Sequence, residues 1–216
     1  MNVKIKILVL IFLFAFNKLY AQSNDLGVWI DLLASKKIKS GSLALNGEFY
    51  TKDNSKIIDR ISIGFEGNYP VTSFMKFNAG YLLMNYNMTD YREIRNRFFS
   101  TLAVKWRLSD FVFSHRERIQ LTRKPLPGAN MKNDLYWRNR FRVEYKKPEW
   151  KVTPTATIES FYSFGNSGTK TVDELRYSLA VKYSLSQNQD ICLYGLWSEL
   201  VHKDFYVFGV EYEISI

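Results

Sequence analysis

The sequence predicts an all-β chain that closes into a transmembrane, antiparallel, up-and-down barrel. About ten strands are expected, with twelve as the alternative, around a polar lumen rich in Arg and Glu. Three observations carry this reading. The N-terminus looks like an export signal, the rest of the chain alternates polar and apolar residues strand after strand, and the last strand's apolar face runs to Ile216 itself.

Export comes first. Lys4 and Lys6 precede an unbroken apolar run from Ile7 to Phe16, and Ala21 leads into Gln22. A charged start, an apolar stretch of about ten residues and a small residue at the cut make a secretory signal over residues 1–21. Leu19 is larger than the ideal residue at its place before the cut. The run is too short to span a bilayer comfortably as a helix. No cysteine lies at the end of the run, where a lipid anchor would be attached, which argues against a lipid-anchored lipoprotein. The single cysteine, Cys192, leaves no internal disulfide, so stability must come from packing or from a closed sheet. Loss of Lys4, Lys6 and Lys18 lowers the formal charge from +9 to +6. The excess sits at alternate strand positions rather than in a tail, and nucleic-acid binding has no motif to support it.

Residues 22–216 form one domain of β segments. Asp25 to Ser35 is the first. In Gly41 to Tyr50, Leu43, Leu45 and Phe49 oppose Ser42, Asn46 and Glu48; in Arg60 to Tyr69, Ile61, Ile63 and Phe65 oppose Ser62, Gly64 and Glu66. Phe74 to Tyr86 continues the pattern. The segment from Arg92 sets Phe98, Leu102, Val104 and Trp106 against Arg95, Arg97, Lys105 and Arg107. Successive strand side chains point to opposite faces, so each segment has one apolar and one charged face.

In Phe111 to Thr122 the same alternation sends Arg116 and Arg118 one way and Glu117 the other. A lone Glu facing lipid is costly, so a bulge or a position near the interface is expected there. Leu135 to Tyr145 carries Arg138, Arg140 and Arg142, and Val152 to Tyr162 carries Glu159. Glu174 to Leu185 carries Glu174, Arg176 and Lys182; Ile191 to Glu199 has ambiguous facing. The last strand sets Tyr206, Phe208, Val210, Tyr212 and Ile214 against Gly209, Glu211 and Glu213. Such an apolar edge invites aggregation in an open sheet, and closure removes the edge. Tyr50, Tyr69, Trp106, Trp137, Tyr162 and Tyr183 fit interfacial aromatic girdles. A soluble sandwich with wet arginines is the structural alternative.

Long connections near 51–58, 87–92, 123–133, 164–171 and 200–204 alternate with short turns, which sets the strand count. With the long ones outside and an even number of strands, Gly41 to Ile216 makes ten. Asp25 to Ser35 is then a luminal lid or half of an unrecognised pair.

Asp25-Leu-Gly-Val-Trp29, Lys36-Lys37 and Leu43-Ala-Leu-Asn-Gly-Glu48-Phe49-Tyr50 come early. Arg95-Asn-Arg97-Phe98, Arg116-Glu117-Arg118 and Glu174-Leu-Arg176-Tyr177 come later. In this order the chain resembles, over essentially its whole mature length, the small outer-membrane proteins called domain of unknown function 2490. The resemblance implies a barrel of Gram-negative outer-membrane type and carries over no activity.

The expected lumen charges are Arg95, Arg97, Arg118, Arg138, Arg140, Arg142, Arg176 and Lys182, with Glu48, Glu66, Glu159, Glu174, Glu211 and Glu213. One reading is a structural or passive barrel whose Arg–Glu network fills or lines a narrow lumen. A second is a small anion-selective pore. A third, a rim-sited hydrolase, has only His115 beside Ser114 and His202 beside Asp204, and neither spacing makes a triad. No catalytic residue, metal site or cofactor is assigned. The expected partners are outer-membrane lipid, the barrel-assembly machinery through the last strand, and small anions.

Overall fold

The computed structural model describes residues 25–125, 131–164, 170–200 and 204–216. They form eleven strands: β1 (Asp25–Ile38), β2 (Gly41–Lys52), β3 (Ile57–Pro70), β4 (Met75–Asn87), β5 (Arg92–Leu108), β6 (Phe111–Pro125), β7 (Met131–Tyr145), β8 (Val152–Phe164), β9 (Lys170–Ser184), β10 (Gln189–Leu200) and β11 (Asp204–Ser215). Each strand pairs antiparallel with the next, and β1 returns to β11 to close the barrel.

The count falls between the two expected, and the reason is the first segment. Asp25 to Ser35 is neither lid nor half of a missed pair: it is a wall strand, paired with β2 from Trp29↔Tyr50 to Ile38↔Gly41. In an up-and-down series of odd number the first and last strands must run the same way. The seam β1–β11 is accordingly parallel, in register from Asp25↔Phe205 to Ser35↔Ser215, and the Ile216 amide donates to the Ser35 carbonyl at 2.7 Å. The chain thus enters the barrel at one end and leaves it at the other.

Alternation sorts the side chains as the sequence predicts. Ile63 is 64% exposed beside Ser62 at 3%, and Phe208 is 39% exposed beside Val207 at 2%. The outer wall is therefore apolar and the inner wall polar, the reverse of a water-soluble core. Short turns at 39–40, 71–74 and 109–110 close one end; Ser109 takes a left-handed φ of 55° in the last of these. The connections at 53–56 and 88–91 lie at the other end, where β6, β8 and β10 also finish.

Two expectations are corrected. Tyr50 belongs to no outer girdle: it is 8% exposed, shares the facing of Glu48, and its hydroxyl donates to Asp31 at 2.8 Å. Glu117 occupies no bulge and no strand end. The β5–β6 and β6–β7 registers run through it unbroken, and it stands mid-strand on the outer wall. Donors placed around it, described below, make that position tolerable.

Candidate functional site

Among the described residues two cavities open inside the barrel. The one towards the long connections measures about 450 Å³ and is lined by Arg95, Arg97, Arg118, Arg138 and Arg176 with Glu48, Glu66 and Glu174. The one towards the short turns measures about 330 Å³ and is lined by Arg140, Arg142, Lys182, Glu159, Glu211 and Glu213. The expected lumen charges thus line one cavity or the other, while Arg107 and Arg116, which alternation also picks out, line neither. Tyr50 lines both, so the cavities meet at its ring.

The waist between them is built from β6, β7 and β8. Glu159, 8% exposed, lies opposite Arg140 in register and takes Arg138 at 3.1 Å and Arg116 in a closer contact. Arg138 also donates to Gln120 at 2.8 Å. A buried carboxylate between two guanidiniums is compensated on both sides, which a buried charge requires. Arg116 was not among the expected lumen charges, yet it shares the facing of Arg118 two residues on.

Aromatic rings pack the guanidiniums from the side. Arg138 lies 4.3 Å and Arg176 4.4 Å from the centroid of Phe161, and Arg60 lies 4.1 Å above Tyr50. Trp29 stacks on Tyr50 with centroids 4.3 Å apart. The arginine contacts join planar cations to π faces. Alternation counts polar residues, so it passed over Phe161, Trp29 and Tyr50; their facing was nonetheless readable from Glu159, Asp31 and Glu48 two residues away.

Other pairs are local. Arg60 bridges Glu48 at 3.0 Å, Arg176 bridges Glu174 at 2.6 Å, Arg95 pairs with Glu93, and Lys182 pairs with Glu213 and, at 3.0 Å, with Asp190. Four arginines differ. Among the described residues Arg97, Arg118, Arg140 and Arg142 make no ion pair with a carboxylate. Arg97, Arg118 and Arg142 use Nε to hold Thr122, Thr101 and Thr157 at 3.3, 2.9 and 3.3 Å. The Arg140 side chain makes no hydrogen bond to a described residue. Like charges also face each other across β6–β7, where Arg116 is opposite Arg140 and Arg118 opposite Arg138.

A second polar group stands on the outer wall. Glu117 takes His115 Nε2 at 2.6 Å and the Trp137 indole, and Asn139, with its amide nitrogen turned to the carboxylate, adds a third donor. Ser114 and His115 lie on opposite faces of β6, so that adjacent pair does not converge. His202 lies outside the described residues.

A family model matches residues 26–201, that of the proteins of unknown function DUF2490. The chain belongs to this family. Solved structures that share the fold of this DUF2490 chain include two outer-membrane barrels. The β domain of the Bordetella autotransporter BrkA superposes with a TM-score of 0.57 at 12% identity, covering 84% of this chain and 86% of that one. The NanC porin superposes with a TM-score of 0.50 at 13% identity, covering 80% and 86%. No curated protein matches the DUF2490 chain.

Proposed function

We propose that this chain is a passive barrel of a Gram-negative outer membrane, exported by residues 1–21, whose Arg–Glu network both braces and lines a narrow lumen that passes small anions. The porin and autotransporter folds support the setting, as does the apolar outer wall. One observation carries the anion reading: guanidiniums without carboxylate partners stand on both sides of the waist, Arg97 and Arg118 in one cavity and Arg140 and Arg142 in the other. A sealed interior would pair them, because an unpaired buried charge is costly. A wet lumen leaves them free to lower the barrier to an anion. The last strand would engage the assembly machinery, and the long connections would face outward.

A sealed, purely structural lumen is the second reading, favoured by the Trp29–Tyr50 stack at the waist. Planar-bilayer recording of refolded protein across a salt gradient separates the two. Anion-selective steps that turn towards cation selectivity in Arg140→Glu support the pathway. A folded but electrically silent barrel refutes it.

A further inference from the structure

The cavity at the short-turn end carries opposite charges on its two sides. On the β7 side Arg140 and Arg142 lie two residues apart with the same facing; Glu159 is opposite Arg140 but is taken by Arg138 and Arg116, and neither Arg140 nor Arg142 forms an ion pair among the described residues. Thr157, which holds Arg142, places its hydroxyl beside them. On the β11–β1 side Glu211 and Glu213 lie two residues apart, and Asp31 is directly opposite Glu211 across the seam. Lys182 answers Glu213, and the Tyr50 and Tyr194 hydroxyls hold Asp31 at 2.8 and 2.9 Å. No cation pairs with Glu211 among the described residues.

This arrangement asks for more than an anion. A simple anion seated on Arg140 and Arg142 leaves the carboxylate side uncompensated, and a cation on Glu211 leaves the guanidiniums so. A solute carrying both charges satisfies the two walls at once. Guanidinium forks match a carboxylate in shape as well as in charge. A carboxylate cluster favours a compact ammonium.

We propose that this chamber is a binding site for a short zwitterionic solute of the amino-acid or peptide class. Its carboxylate lies on Arg140 and Arg142, and its ammonium lies towards Glu211. The proposal extends the pathway reading by naming what the inner half of the lumen selects.

Calorimetric titration of the refolded, detergent-solubilised barrel tests it, with diglycine, acetate and ethylammonium as probes. Diglycine is expected to bind at least about tenfold more tightly than either single-charge probe, a difference of about 1.4 kcal/mol. Arg140→Gln and Glu211→Gln should each remove that advantage, while Arg92→Gln at the rim leaves it intact. Acetate binding as tightly as diglycine to the wild-type protein overturns the proposal, and so does a wild-type barrel that binds no probe. Both results need no variant to fold. Diglycine binding to a barrel that is silent in the bilayer keeps the site and refutes the pathway. Anion-selective current without a preference for diglycine does the reverse.

Discussion

His115 Nε2 stands 2.6 Å from the Glu117 carboxylate, two residues along the same outer face of β6. The contact converts a lone acid on an apolar wall into a shared polar cluster with Trp137 and Asn139. In lipid no water replaces a lost donor, and the remaining carboxylate keeps its full desolvation cost. Replacing His115 with Leu should therefore destabilise the barrel by about 2 kcal/mol, in the range for hydrogen bonds to charged groups. Urea unfolding in lipid vesicles measures it; a loss no larger than that of Val104→Ala would show the cluster to be idle.

Glu159 is the counter-charge of Arg138 and Arg116 at the waist. Glu159→Gln keeps the shape and removes the charge, leaving two buried guanidiniums facing each other. A loss of about 3–5 kcal/mol is expected, as when one partner of a buried ion pair is removed. The heat-modifiable, faster-migrating form on an unboiled gel should disappear at a lower temperature than in the wild-type protein.

Gly209 sits against the ring of Tyr194, directly opposite it on β10. A Cβ built at Gly209 would fall 1.9 Å from Tyr194 Cζ, far inside van der Waals contact. The ring is tethered by its hydroxyl to Asp31, so it cannot swing aside without breaking that bond. Gly209→Ala should cost about 1–3 kcal/mol by overpacking. Tyr194→Ala should restore most of the loss in the double variant, read by the same urea unfolding.

The wall position of β1 makes a further difference measurable. This strand pairs with β11 from Asp25 to Ser35 and with β2 from Trp29 to Ile38. Deletion of residues 25–38 should therefore open two edges and abolish the heat-modifiable form. A detachable lid would leave that form intact.

Much of this was legible in the residue pattern. Facing followed from alternation in β2, β3, β5 and β11, because one apolar face leaves no ambiguity of register. The family resemblance rested on short motifs from Asp25 to Tyr177, and the family match over 26–201 covers the same stretch. What escaped the pattern was pairing between distant strands. Tyr50 read as a girdle residue because it is an aromatic near a strand end, although Glu48 two residues earlier shares its facing. Nothing in β6 alone announces Trp137 and Asn139, the donors that make Glu117 tolerable, and the parallel seam depends on a closure that no local signal encodes. In the lumen, residue type named the charges, but only the folded registers show which arginines are matched and which stand open.

The odd strand count has a topological result for anything joined to the barrel. An even barrel returns its chain to the side it came from, so both flanks share one compartment. Here Asp25 lies at the long-connection end and Ser215 at the short-turn end. Polypeptide joined ahead of Asp25 and polypeptide joined behind Ile216 would occupy opposite compartments, making a single molecule a two-sided tether through the membrane.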